Sequence, residues 1–243
     1  MRVPFSLASV PILLLLLQSS AGCINSAPNA VEDLITNHRY PKLLVEIDYA
    51  DGHTPRSSAT DLLKTRIQGT LQKPGGTTFE EKAFTPSKSS YTDDDLLAVE
   101  SQKRNHQPGG DTMVLYILYL NGHHARDTSN EKILGVHYGR ASIAIFKETI
   151  DSSGGVIGSL FSANDVERSV LVHEFGHTIG LVNNGLKMVK NHEDPQHRAH
   201  STNKESVMYW AVDTTLGLAG LTGSIPNEFD SDDLADVRNG GGK

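Results

Sequence analysis

Cysteine is almost missing from this chain: 243 residues contain one, Cys23. A lone cysteine excludes an intramolecular disulfide framework and an all-cysteine zinc site. Aromatic residues make up only 6%, and the formal net charge is −7, with lysine and arginine scattered rather than striped. These features exclude a base-stacking platform and a basic nucleic-acid-binding face. The one long apolar run, residues 10–17, is well short of a membrane-crossing helix. With 37% hydrophobic and 21% charged residues, the chain is too apolar for a disordered acidic tail. It can bury one core of ordinary size.

Histidine is abundant. Of 11 histidines, five lie between His173 and His200.

Residues 1–22 have the pattern of an export signal: Arg2, the apolar run with Leu13 to Leu17, then Ser19, Ser20, Ala21 and Gly22. Cys23 follows Ala21-Gly22, the place at which bacterial lipoprotein signals carry their lipidated cysteine. The chain resembles an exported lipoprotein in this respect, which implies a lipid anchor on Cys23 and a cell-envelope location, or secretion without the anchor. Residues 23–37 are small and polar, as in a tether, and residues 38–243 form one domain with no repeat and no interdomain linker.

Within that domain, alternation predicts a strand over 43–49, and a β-rich run bounded by glycine turns predicts a buried strand over 113–120. Further strands are expected over 77–84, 133–138 and 142–146. Helical spacing predicts helices over 61–71 and from about 93 to 104, the second opened by Thr92 with acids in its first turn. Ser162 with Asp165 forms a capping signature ahead of a helix that ends at Gly180. Residues 186–205 read as a polar loop, 207–210 as an apolar island, and 229–238 as a capped last helix. His123 and His124 are expected on the surface.

His173-Glu174-Phe175-Gly176-His177 carries the chemistry. Histidines at i and i+4 of a helix share one face, so both imidazoles reach one metal ion. Glu174 falls beside that ion, where a carboxylate can accept a proton from metal-activated water. Gly180 lets the helix stop in a left-handed turn.

His173, Glu174, His177 and Gly180, followed by Val207-Met208-Tyr209 as a methionine turn, resemble the signature of the metzincin zinc peptidases. The resemblance implies an α+β metzincin-like zincin domain. It would have a mixed twisted sheet of about five strands, a long zinc-binding helix and a C-terminal helix. The clan's third ligand would fall at Asn183, a poor zinc ligand. The spacing from His200 through Ser201 and Ser206 to Met208 is similar to that of archaemetzincins, with serine where they carry cysteine. This makes residues 183–199 an insertion and His200 the third ligand, with His197, His192 and Asn183 as alternatives. The second, all-cysteine zinc of that branch would need cysteines at 226 and 229, where Pro226 and Phe229 stand. The resemblance therefore implies one catalytic zinc, held by His173, His177 and His200.

The expected activity is hydrolysis of protein or peptide substrates, as a metalloendopeptidase with Glu174 as general base. Peptide is expected to add as a strand along residues 133–138. Tyr209 is expected to pack in the turn, with contact to a developing oxyanion as the other reading. The presence of Glu174 argues against the alternative, an inactive surface binding module of the same fold.

Overall fold

The computed structural model describes residues 29–153 and 160–243. The export signal and Cys23 lie outside them. Helix α1 (Asn29–Ile35) precedes β1 (Lys42–Ala50), α2 (Ser57–Thr70), β2 (Thr77–Phe84), the two-residue β3 (Ser90–Tyr91) and α3 (Asp93–Lys103). Then come β4 (Thr112–Leu120), β5 (His123–His124), β6 (Gly135–Tyr138), β7 (Ser142–Phe146) and α4 (Lys147–Ser152). The chain finishes with α5 (Ala163–Thr178), a 3-10 turn (Trp210–Val212), α6 (Thr215–Ala219) and α7 (Ser231–Asn239).

The main sheet has five strands in the order β2-β1-β4-β7-β6. All neighbours run parallel except β6, which lies antiparallel to β7 at the edge. Strands β1, β4 and β7 are buried on both faces because helices cover both sides of a parallel sheet. Strands β4 and β7 are largely apolar, while β1 carries Glu46 and Asp48 on one face. One apolar cluster joins Val45, Ile47, Leu115, Ile117 and Ile143 to Val170, Leu171 and Phe175 of α5. A smaller cluster on the opposite face gathers Tyr116, Leu118, Phe146, Leu96 and Tyr138.

An internal ion cluster holds α5 in place. Glu167, fully buried on α5, pairs with Arg56 just before α2 and lies 3.1 Å from Lys147 Nζ of α4. Arg56 also reaches Asp151 at 2.7 Å. A carboxylate at such depth is tolerated because two cations and a backbone N–H, that of Arg56 at 2.7 Å, compensate its lost hydration.

Two expectations are corrected. Residues 29–35, placed in the tether, form α1, and Val31, Leu34 and Ile35 join the core. The packed domain thus begins ahead of residue 38. Its apolar positions are spread over too few turns to stand out in a polar context, and Lys73 supplies the missing partner. Lys73 Nζ donates to Asp33 O, Thr36 O and Tyr40 O at 2.8, 2.6 and 2.7 Å, closing the end of α1. His124 is buried, not exposed, with Nε2 3.2 Å from Asp93 Oδ1 and its ring edge against Phe146.

Candidate metal centre

Helix α5 begins where Ser162 Oγ accepts the Asp165 N–H. Its last turns are buried on all sides, from Val170 to Thr178. The helix ends in a Schellman arrangement: Gly180 N–H donates to His177 O and Leu181 N–H to Gly176 O. Gly180 has φ +83°, which turns the chain back and lets Leu186 N–H reach Gly180 O at 2.8 Å.

Gly176, inside the motif, makes room for the methionine turn. A Cβ there would overlap Met208 Sδ and come within 2.9 Å of the Phe229 ring. Met208 is fully buried, and Ser201 N–H donates to its carbonyl at 2.8 Å. Ser206 Oγ accepts the Met208 N–H at 2.9 Å. The turn therefore lies directly under the zinc-motif helix.

His173, His177, His200 and Asp213 each bring one ligand atom into a group whose members lie within 4.8 Å of one another. The Nε2 atoms of His173 and His177 are 3.0 Å apart. The His200 ring stacks on His173 at 5.2 Å and stands edge-on to His177 at 4.9 Å. Asp213 Oδ1 lies 2.6 Å from His173 Nε2, and Oδ2 lies 2.8 Å from His200 Nε2.

The hydrogen bonds on the far sides of the rings define the tautomers. His173 Nδ1 faces Val207 O at 2.5 Å and His200 Nδ1 faces Arg198 O at 3.0 Å. A carbonyl accepts only, so each Nδ1 carries a proton, and each Nε2 is the nitrogen turned inward and open to a metal ion. Imidazole nitrogens thus converge beside a carboxylate, an arrangement of donors that a cation completes. Two or three neutral imidazoles and a carboxylate oxygen are the donor set that zinc takes. The residues fit the metal.

Of the alternatives for the third ligand, the structure brings only His200 to this cluster. His192 faces Asp236 and Asp233. His197 stacks on Trp210 at 4.2 Å and pairs with Asp194. Asn183, at φ 62°, donates to Glu193. Residues 183–199 contain no helix or strand, and Asp194 N–H donates to His200 O at 2.7 Å, which folds the loop back on itself. Tyr209 packs beside Trp210, ring centroids 5.6 Å apart.

Asp213 was not among the residues expected from sequence. It lies five positions past Met208, outside every motif, and only the 3-10 turn carries it to the cluster. Burial raises its carboxyl, but His200 and His173 outweigh burial and hold it well below the usual range. Glu174 is buried against Gly135 of the edge strand β6. Burial, reinforced by the charge of Asp213, pushes its carboxyl well above the usual value, as suits a group that takes up a proton. His137, two residues along β6 and on the same face as Gly135, was also missed. Burial lowers it to about 4, and its Nε2 has no hydrogen-bond partner among the described residues.

No protein-family model matches this sequence, and no curated protein does. Solved structures do. The chain superposes on archaemetzincin from Methanopyrus kandleri with a TM-score of 0.51 and 15% identity, covering 83% of this chain and 97% of the other.

The fold is an archaemetzincin-like one.

A zinc-dependent peptidase from Methanocorpusculum labreanum gives a TM-score of 0.52 at 11% identity, over 79% of this chain and 99% of the other. The archaemetzincin-like fold agrees with the expected sheet of five strands, the zinc-motif helix and the C-terminal helix. In this chain it carries a four-residue donor cluster at the C-terminal half of α5.

Proposed function

We propose that the protein is a zinc-dependent peptidase acting on protein or peptide substrates, with His173, His177 and His200 as zinc ligands and Asp213 beside them. The observation that carries this reading is the convergence of the ligand atoms of His173, His177, His200 and Asp213, with the rings of His173 and His200 oriented by the Val207 and Arg198 carbonyls. A zinc ion at that point supplies a Lewis acid for the scissile carbonyl and makes water acidic enough to be a nucleophile near neutral pH.

The protein's own residues do the rest. Glu174 accepts the proton of the attacking water and returns it to the leaving amine, and its raised affinity for protons favours the first of these transfers. Strand β6, antiparallel and at the sheet edge, offers unpaired backbone groups along which an extended peptide adds as a further strand. That strand passes Glu174 at Gly135, so a peptide lying along it comes past the general base. Cleavage within a chain follows from an open edge, and we assign endopeptidase action on that ground.

We further propose export through residues 1–22 and anchoring through a lipid on Cys23. The short apolar run and the cysteine's position behind Ala21-Gly22 support this.

The test pairs zinc analysis with cleavage of a mixed peptide substrate. Glu174→Gln is expected to keep its zinc and lose roughly 100- to 10,000-fold in rate. Zinc-loaded wild-type protein that cleaves no peptide, or a Glu174→Gln protein as active as wild type, would overturn the proposal.

A further inference from the structure

A second group of ligand atoms lies on the far side of the methionine turn: His192 of the inserted loop with Asp230 and Asp233 at the start of α7, each offering an atom within 4.8 Å of the others. It is a buried place. His192 is 5% exposed and Asp233 fully enclosed.

The hydrogen bonds around it account for every polar atom except two. Asp233 Oδ2 accepts Ser206 Oγ–H at 2.6 Å and the Asp230 N–H at 3.0 Å. Asp230 Oδ1 caps α7 by accepting the N–H groups of Asp232 and Asp233, and its Oδ2 accepts from Asn203. Asp236 Oδ1 accepts the Val189 N–H, and Oδ2 accepts from His192 Nε2 at 3.0 Å. Left over are His192 Nδ1 and Asp233 Oδ1, both buried and without hydrogen-bond partners among the described residues.

These two atoms face each other across 3.8 Å. The gap is too wide for a hydrogen bond. Because His192 Nε2 is committed to Asp236, Nδ1 is the nitrogen left to face a carboxylate oxygen. A histidine held by a carboxylate on one nitrogen and free on the other is the usual setting of a metal-ligating imidazole. Among the described residues no lysine or arginine lies within ion-pair distance of Asp230, Asp233 or Asp236, so three carboxylates share one imidazole. Buried charge of one sign needs a counter-charge.

We propose that His192, Asp233 and Asp230 bind a second zinc ion, separate from the histidine cluster of α5, with Asp236 orienting His192. The absence of cysteine excludes a sulfur site but not this one, whose donors are nitrogen and oxygen. The ion would tie three pieces together: the inserted loop through His192, the methionine turn through Ser206 on Asp233, and α7. His192 O also accepts the Thr202 N–H at 2.9 Å, two residues past His200. The second metal thus braces the segment that presents His200. This inference does not rest on the proposed peptidase activity.

The experiment is zinc stoichiometry of the full-length protein by mass spectrometry after zinc loading and dialysis. Wild type is expected to retain two equivalents. His192→Gln, whose amide can still donate to Asp236 but lacks Nδ1, and Asp233→Asn, which keeps the side chain's shape, are each expected to retain one. A His173→Ala/His177→Ala protein is also expected to retain one, and to melt at a higher temperature with zinc than without. Adding His192→Gln to that protein should abolish both the ion and the shift. The last comparison reads the second site even if a single variant folds poorly. One equivalent in folded wild type, lost in His173→Ala/His177→Ala, would overturn the proposal, as would two equivalents retained in both His192→Gln and Asp233→Asn.

Discussion

Asp213 Oδ2 lies 2.8 Å from Nε2 of His200, the inward nitrogen of a ring whose Nδ1 is held by the Arg198 carbonyl. The same carboxylate meets His173 in the same way through its other oxygen. A carboxylate set among inward-facing imidazoles raises the affinity of the cluster for a cation, either as a fourth ligand or as a neighbouring charge. Asp213→Ala is therefore expected to weaken zinc binding at His173, His177 and His200 by roughly 10- to 100-fold, the range typical of disturbed metal surroundings. Competition with a chromophoric chelator measures it. Unchanged affinity would show that Asp213 only fills the space between the rings.

Gly176 decides how close the methionine turn can come. In an ordinary helix interior, alanine is favoured over glycine by about 1 kcal/mol. Here the added methyl would run into Met208 Sδ and the Phe229 ring, both in the core, and overpacking costs about 1–3 kcal/mol. Gly176→Ala is expected to destabilise the protein in urea denaturation. A more stable variant would mean that Met208 is not seated against α5.

Lys73 closes α1 with three charge-assisted bonds to carbonyl oxygens. Lys73→Met keeps the apolar stem and removes all three, leaving buried carbonyls unpaired. A loss of about 2–4 kcal/mol is expected, given about 1.5–3 kcal/mol for hydrogen bonds to charged groups with partial compensation by water. Proteolysis near residues 29–40 should increase in parallel. If neither changes, α1 is held by its apolar contacts alone.

Asp48, buried on β1, accepts the Tyr116 hydroxyl at 2.7 Å. Burial raises its carboxyl above 3.8, and the tyrosine bond only partly opposes this. The folded state therefore holds the proton more tightly than the unfolded chain does. Stability from this group is present at low pH and falls as pH rises from 3.8 through the folded value. Asp48→Asn, which can still accept from Tyr116, lacks this fall. The stability difference between variant and wild type is expected to shift in favour of the variant across that window and then level off. A difference independent of pH would contradict the assignment.

Much of the site was legible because it is local. His173, Glu174 and His177 are ordered by the helical repeat, Ser162 by its N-cap bond to Asp165, and Gly180 by the need for positive φ at a helix end. Strand β1 stood out by its alternation and β4 as an apolar run bounded by glycine turns. Strand β6, within the residues 133–138 expected to take an added peptide strand, lies at the sheet edge. His200 was suggested by spacing to Met208, but the residues alone left His192, His197 and Asn183 open.

What the sequence by itself determined is the five strands of the main sheet, helices α2, α3, α5 and α7, and the two histidines that share a helix face, since these depend on interactions a few residues long. Tertiary structure decided the rest. It selected His200 among the loop histidines, brought in Asp213 from the 3-10 turn, set His192 against Asp233, and buried α1 beneath Lys73. Those pairings join residues separated by up to about forty positions through loops without a repeat. No periodicity records them, because only packing against α5 and α7 determines where such loops can lie.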